Sequence, residues 1–510
     1  MPDEETGSFA DAPRIVHPPP GPRSRELLAE QARLETDAVA YSHAFPMAIR
    51  RARGATIEDV DGNRYIDWVA GVSVLNLGHR PPRLEAALDR QRAEIWHALE
   101  LPTEARAAFL RELDESLPGS LRHHARFLFT VTGGDAVETA IQLADFAQHR
   151  SGTVAFSGAY HGVHGGAVHL TSGRRYRAGS PFAGGRVIRV PYPDPYRPVL
   201  GADEGAAGTI AYLEHLVTDP GSGVDLPSAV LVEPILGEGG YVVPPDDFLP
   251  SLREFCDRHG ILLLADEIHT GLGRTGRMWA VEHAGVTPDI LCISNAIGGG
   301  LPMSVVAYRD DLVPRLPTGF HLGTYRGNPL GLAVGTEVLR LLREDDLLPR
   351  TAARGARIVD RFQAIGERHP SIGNVRGRGF MIGVEFVRDR ASRQPWGERA
   401  RSMRAALFAR GVLMHTGGAW DQVMRFMAPL PIEDLLLERG LEAFEDALEE
   451  LDTPVSAPPS PSHPPGHPPI GFPPPSTPGF GPPIGPPPPG PLPLGPDDPG
   501  GFSVALRHPR

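Results

Sequence analysis

"ILLLADEIHTGLGRTGRMWAVEHAGVTPDI", residues 261–290, decides how the rest of the chain is read. Its first six residues, ILLLAD, form a continuous apolar run closed by Asp266. That is the pattern of a strand buried on both faces of a parallel sheet, and an acid at its end stands at the carboxyl edge, where α/β sheets take their ligands. Upstream, "SAVLVEPIL" at 228–236 is a second run of the same kind. Between the two, "PPDDFLPSLREFCDRHG" supplies a helix, with proline near its start and Gly260 at its end. Strand, helix, strand at this spacing predicts α/β layers. The six residues GLGRTG at 271–276 match the dinucleotide fingerprint in lettering alone. The fingerprint needs a tight strand–turn–helix, and here Glu267 to Thr270 separate the strand end from the first glycine.

Outward from this stretch the pattern continues in both directions. "GDAVETAIQLADFAQHR" has helical spacing after a Gly-Gly turn. "GATIEDVDGNRYIDWVAG" reads as a hairpin about Asp61-Gly62-Asn63. After Asn328-Pro329 the pattern changes to a long helix over roughly 332–366, a strand "GFMIGVEFV", and a last helix after Pro431. The expected organisation is a loose, disordered leader over 1–25 and a segment 26–79 that joins a smaller domain. A large α/β domain over 80–331 and a small α+β domain over 332–452 follow. Residues 453–510 hold 23 of the 55 prolines, so a disordered, partly polyproline II tail is expected there. No internal repeat is visible.

At 510 residues, 41% hydrophobic and 22% charged, the composition is that of a soluble globular protein. A net charge of −12 argues against a nucleic-acid partner. No apolar run reaches the ~18 residues of a membrane span, and the amino-terminal stretch has no apolar signal region. Cys256 and Cys292 give no disulfide framework and too few ligands for a cysteine-based metal site. The cytoplasm is the expected location. One count is abnormal: all 50 basic residues are arginine, and the chain contains no lysine, where about 25 would be ordinary at this length. Codon bias alone would leave several, which points to selection against lysine amines.

Seven stretches, in order along the chain, resemble the class-III, ornithine-type aminotransferases. They are "DVDGNRYIDWVAGVSVLNLGHR", "TGGDAVETAIQLA", "GAYHG", "VEPILGEGGYVVPP", "LLLADEIHTGLGRTGRMWAVEHAGVTPDI", "GTYRGNPLG" and "RGRGFMIGVEF". The resemblance implies the type I (aspartate-aminotransferase-like) fold of pyridoxal-phosphate enzymes and transfer of an amino group between an amine or amino acid and a 2-oxo acid. It carries roles over to individual positions. Thr132, Gly133 and Gly134 stand at a helix start, where free N–H groups favour the cofactor phosphate. Asp266 would hold the pyridine nitrogen protonated, Tyr160 would stack on the ring, and His161 and Ile268 would line it. Thr324 would reach the phosphate across a dimer interface. Glu238 and Arg425 resemble a pair in which the arginine receives a substrate carboxylate and the glutamate neutralises it for ω-amine substrates. His269 stands where the family usually has glutamine.

The departure lies in "LCISNAIGGGLP", residues 291–302. The family's Schiff-base lysine belongs at Asn295, and no other lysine exists to replace it. An amide is neither basic nor nucleophilic enough for that work. Three readings follow. The first is an aminotransferase that holds pyridoxal or pyridoxamine phosphate non-covalently, with His269, His161 or the substrate amine as base. The second is a non-catalytic cofactor-binding protein, as a homodimer or as the partner of a lysine-bearing homologue. The third is a scaffold for the proline-rich tail. The first is preferred.

Overall fold

The first turn of the chain's body is built around one carboxylate. Asp59 accepts from the backbone N–H groups of Asp61 and Asn63, both at 2.9 Å, and Gly62 takes the positive φ of 87° that the turn needs. This closes a hairpin among β1 (Ile49–Arg53), β2 (Thr56–Asp59) and β3 (Arg64–Asp67). The computed structural model describes residues 7–453 apart from 37, 179–185, 202–204, 314–315 and 345. The expected tail therefore lies outside the described residues beyond Thr453.

The central sheet has seven strands: β4 (Ala125–Thr130), β5 (Thr153–Phe156), β6 (Val187–Val190), β7 (Ala229–Val232), β8 (Leu262–Asp266), β9 (Ile290–Ile293) and β10 (Ser304–Arg309). Their order is β4-β10-β9-β8-β7-β5-β6. β10 alone runs against its two neighbours; the others pair in parallel from β9 to β6. Every residue of β5, β7, β8 and β9 is buried, as continuous apolar runs require between two helical layers. The helices Gly133–Gln148 and Phe248–His259 flank the sheet, the latter ending at Gly260 with φ 61°.

A second sheet, antiparallel, comprises β11 (Ile372–Arg378), β12 (Met381–Phe386), β14 (His415–Gly417) and β15 (Val423–Phe426). Between them in sequence, β13 (Val412–Leu413) pairs in parallel with β3, which ties the amino-terminal hairpin to the carboxy-terminal part. One apolar core runs from Phe109 and Leu291 through Leu332 to Phe426 and Phe444. The division at 331/332 is therefore proposed here as two layers that share a core. Among the described residues no helix is long and apolar enough to cross a membrane.

Two expectations change. The described part of the leader is not loose. Phe9 is 7% exposed, its N–H donates to Thr56 Oγ1 at 2.9 Å, and Arg14 pairs with Arg64 backbone to backbone. The guanidinium groups of Arg51, Arg53 and Arg64 lie over the Phe9 ring. Phe9, Ala12 and Ile15, among the few apolar residues of this proline-rich stretch, cap the hairpin. The long helix over 332–366 is likewise two helices, Pro329–Glu344 and Leu347–Arg368. Asp346 breaks it with φ 49°, a conformation that a short polar side chain tolerates. The cap gives a measurable consequence: Phe9→Ala is expected to lower stability by about 3 kcal/mol, read as a clear fall in melting temperature. An unchanged melting curve would return the segment to the status of a leader.

Candidate active site

Five strands deliver chemistry to one edge of the central sheet. β4 leads to Thr132, β5 to Tyr160 and His161, β7 to Glu233, β8 to Asp266 and β9 to Asn295. All five run the same way, so their carboxyl ends open on one crevice.

Asp266 is buried at the end of β8. Its Oδ2 lies 2.7 Å from His161 Nδ1, and its Oδ1 accepts from the Ile268 N–H at 3.1 Å. The far nitrogen of His161, Nε2, is buried without a hydrogen-bond partner among the described residues, so it is free to face a polar ligand. His161 is held from behind by its N–H, which donates to Thr171 Oγ1 at 2.8 Å. The helix Gly133–Gln148 begins beside this pair, with Thr132 Oγ1 accepting from the Asp135 N–H. A Cβ at Gly133 would stand 3.0 Å from Ile268, and one at Gly162 would stand 2.9 Å from the Cα of Gly134. Backbone thus approaches backbone where side chains would otherwise fill the space. The Gly133 and Gly134 N–H groups have no intrahelical acceptor and are left for an anion. A phosphate at the helix start and a protonated pyridine nitrogen beside Asp266 fit these residues.

The other end of the crevice carries a connected polar chain. Tyr160 packs edge-on against Tyr176, with ring centroids 4.9 Å apart. The Tyr176 hydroxyl donates to Glu238 Oε2 at 2.9 Å, and Arg425 Nη1 donates to Glu238 Oε1 at 2.6 Å. Arg425 lies over the ring of Tyr241, whose hydroxyl is 2.8 Å from His269 Nε2. Burial opposes ionisation of Glu238, but the charge and hydrogen bond of Arg425, with Tyr176, hold it down at about 2. His269 is also pushed down, to about 3, by burial and by the positive fields of Arg425 and Arg274. It is therefore neutral at ordinary pH.

The structure brings Thr132, Gly133, Gly134, Tyr160, His161, Asp266, Ile268, His269, Glu238 and Arg425 to this crevice. Asn295 follows β9 at the same edge, and its amide Nδ2 donates to the Val72 carbonyl at 3.1 Å. Thr324 stands apart. Its side chain is exposed, and its carbonyl lies 2.8 Å from His97 Nε2. Arg326, two residues on, pairs with Asp135 of the Gly133 helix at 3.0 Å. Sequence reasoning missed Glu233, which is buried and accepts from the N–H groups of Tyr160 and Gly237 at 2.9 and 2.8 Å. Burial and the charge of Asp266 push its carboxyl well above the usual range. Its position just past β7 matches that of Asp266 on β8, and this was the available signal.

The class-III aminotransferase family model matches residues 38–448. A diaminobutyrate–2-oxoglutarate aminotransferase of Rhizobium meliloti is 37% identical, covering 83% of this chain and 92% of its own. A 4-aminobutyrate aminotransferase of Escherichia coli is 33% identical, with 84% and 99% covered. Among solved structures, an amine transaminase from an uncultivated Pseudomonas species, with pyridoxal phosphate bound, superposes with a TM-score of 0.75. It is 29% identical, and 81% of this chain and 97% of that one are covered.

The neutral His269 has a pH signature. Its folded-state value, about 3, lies below the free value of 6.5. Between the two, the unfolded chain binds a proton that the folded chain refuses, so stability falls as pH drops through about 6.5. His269→Gln is expected to lose less melting temperature than wild type between about pH 7 and about pH 5. His415 and His283, both held near 4, keep part of the slope. Identical slopes in the two proteins would show that His269 does not carry the effect.

Proposed function

The chain belongs to the class-III aminotransferases, and on that premise we propose that it moves amino groups between an amine-bearing donor and a 2-oxo acid, with its cofactor held by non-covalent contacts alone. Pyridoxal or pyridoxamine phosphate, when bound, supplies the electron sink and the amino-group carrier. Thr132, Gly133 and Gly134 hold its phosphate. Asp266, oriented by His161, keeps the pyridine nitrogen protonated, and Tyr160 and Ile268 grip the ring.

The observation that carries this reading is the pairing of His269 with Tyr241 beside the Glu238–Arg425 pair. Arg425 offers two parallel N–H groups to a substrate carboxylate, and Glu238 neutralises Arg425 when the substrate presents only an amine. His269, neutral and three residues past the end of β8, is the group placed to take a proton in the absence of lysine. Glu233 ties the Tyr160 loop to the Gly237–Glu238 loop and fixes the spacing between ring and substrate ends.

The working unit we propose is a homodimer. Trp96, Leu99, Leu101, Leu322 and Tyr325 are each more than half exposed, and they sit on the two loops that flank Thr324. This is an apolar surface of the kind that marks an association site, and Thr324 rides on it towards a second copy. Leu322→Arg with Tyr325→Arg is expected to give a monomer by light scattering and to lose cofactor affinity. Retained affinity in a monomer would remove Thr324 from the phosphate site.

Borohydride is expected to leave the mass of the cofactor-loaded wild type unchanged. After the same treatment Asn295→Lys should gain the mass of one reduced cofactor, because the new amine is the only lysine in the chain. His269→Gln should slow amino transfer by about 10²-fold or more, as loss of a positioned base does. A wild-type adduct would disprove non-covalent holding. Full activity in the glutamine variant would pass the proton to another group, and no transfer at all in wild type would favour the non-catalytic binding protein.

A further inference from the structure

A row of alternating charges leads out of the crevice, and its outer half has no role in the scheme above. Arg425 is 1% exposed and Glu238 20%. Beyond them come Asp421 at 31% and Arg175 at 51%. Arg175 Nη1 donates to Asp421 Oδ1 at 3.0 Å, and its Nη2 lies 3.6 Å from Glu238 Oε2. The guanidinium also stacks over the Tyr176 ring at 4.7 Å, and Tyr176 in turn meets Tyr160. Arg175 is thus one aromatic layer outside the residue expected to stack on the cofactor.

Asp421 is placed with equal care. It takes a φ of 56°, a left-handed state that a short polar side chain tolerates. Its loop docks on the crevice itself, through the Gly418 N–H donating to the Glu238 carbonyl at 2.9 Å. Arg401 is 3.9 Å from the other carboxylate oxygen, Oδ2. A half-exposed ion pair of this sort contributes little to stability, about 0–1 kcal/mol. Its partners therefore exchange readily for a ligand that supplies both charges.

From this geometry, and resting on the aminotransferase reading, we infer that Arg175 and Asp421 form a recognition site for the distal zwitterion of an α,ω-diamino acid. The ω-amine enters toward Asn295, the position of the family's lysine, across the ring from Asp266. The α-carboxylate meets Arg175 through the Nε–Nη2 edge, whose Nε carries no hydrogen bond among the described residues and whose Nη2 exchanges its bond to the Tyr176 hydroxyl, 2.7 Å away, for the ligand. The α-ammonium meets Asp421. Amines that lack either group satisfy only half of the pair. Specificity of this kind follows because a site built for a charged group is left unpaired by an analogue that lacks it.

Three probes isolate the two contacts: L-2,4-diaminobutyrate, 1,3-diaminopropane, which lacks the carboxylate, and 4-aminobutyrate, which lacks the α-ammonium. Dissociation constants are measured by calorimetry on cofactor-loaded protein, with folding checked by circular dichroism. Wild type is expected to prefer diaminobutyrate at least tenfold over each truncated probe. Arg175→Gln should abolish the preference over 1,3-diaminopropane, and Asp421→Asn the preference over 4-aminobutyrate. Absence of the preference in wild type, or its survival in both variants, overturns the inference. Failure of the aminotransferase reading looks different: the binding preference persists, and none of the three probes donates its amino group.

Discussion

A guanidinium with no carboxylate beside it holds the molecule together. Arg274, fully buried, donates from Nη1 to the carbonyls of Phe380 and Ala428 and from Nη2 to Asn76 Oδ1. Burial lowers its value to about 10, against the opposing influence of Tyr241 and Asp67. A buried cation is costly unless it is fully bonded, so these acceptors must stay in place. They come from the amino-terminal segment and from the second sheet, while Arg274 itself belongs to the loop after β8. One side chain therefore couples three distant parts of the chain. The same constraint explains GLGRTG. Gly273 and Gly276 take φ of 87° and 83°, and a Cβ at Gly276 would stand 2.7 Å from Ala352. The glycines serve a structural joint and have no nucleotide to approach.

The joint also sets the electrostatics of the crevice. Burial, with the positive fields of Arg425 and Arg274 added, keeps the His269 imidazole neutral where an exposed histidine would titrate. The arginine-only composition fits the same picture. Arginine stays protonated and cannot attack a carbonyl, whereas a partly buried lysine loses its proton and can. On the proposed non-covalent reading, the lack of lysine also leaves no side-chain amine to capture an aldehyde cofactor elsewhere.

The sheet and its edge were legible because both rest on local pattern. The runs ending at Val232 and Asp266 are strands wherever they are buried, and Thr132 to Gly134 mark a helix start in any context. Glu233 was equally local but was read as part of its strand, since Pro234 follows it directly. Tyr176, Tyr241, Arg175 and Asp421 carry no such signal. Arg175 and Tyr176 come from a single helical turn, Arg174–Arg177, and Tyr241 and Asp421 from loops, and only the fold brings Asp421 to Arg175 across 246 residues. The capping segment around Phe9 was hidden for the opposite reason. Its proline-rich composition is that of a loose leader, and the three apolar residues that anchor it have no periodicity of their own.

Asn295 is best understood through the turn it touches. Ala70, Gly71, Val72 and Ser73 have successive φ values of 47°, 59°, 61° and 61°, a left-handed turn in which each non-glycine residue costs about 1–2 kcal/mol. Val72, β-branched, is among the residues least suited to it. The Asn295 amide donates to the Val72 carbonyl, and Asn295 itself has φ 49°, which asparagine accepts more easily than lysine does. Position 295 thus combines a tolerated left-handed backbone with a fastening bond to a strained neighbour at the mouth of β9. A lysine there would forgo both and would reach past Val72 into the crevice. The Asn295 side chain therefore braces the strained turn at the crevice edge, and its backbone state suits the residue that provides the brace.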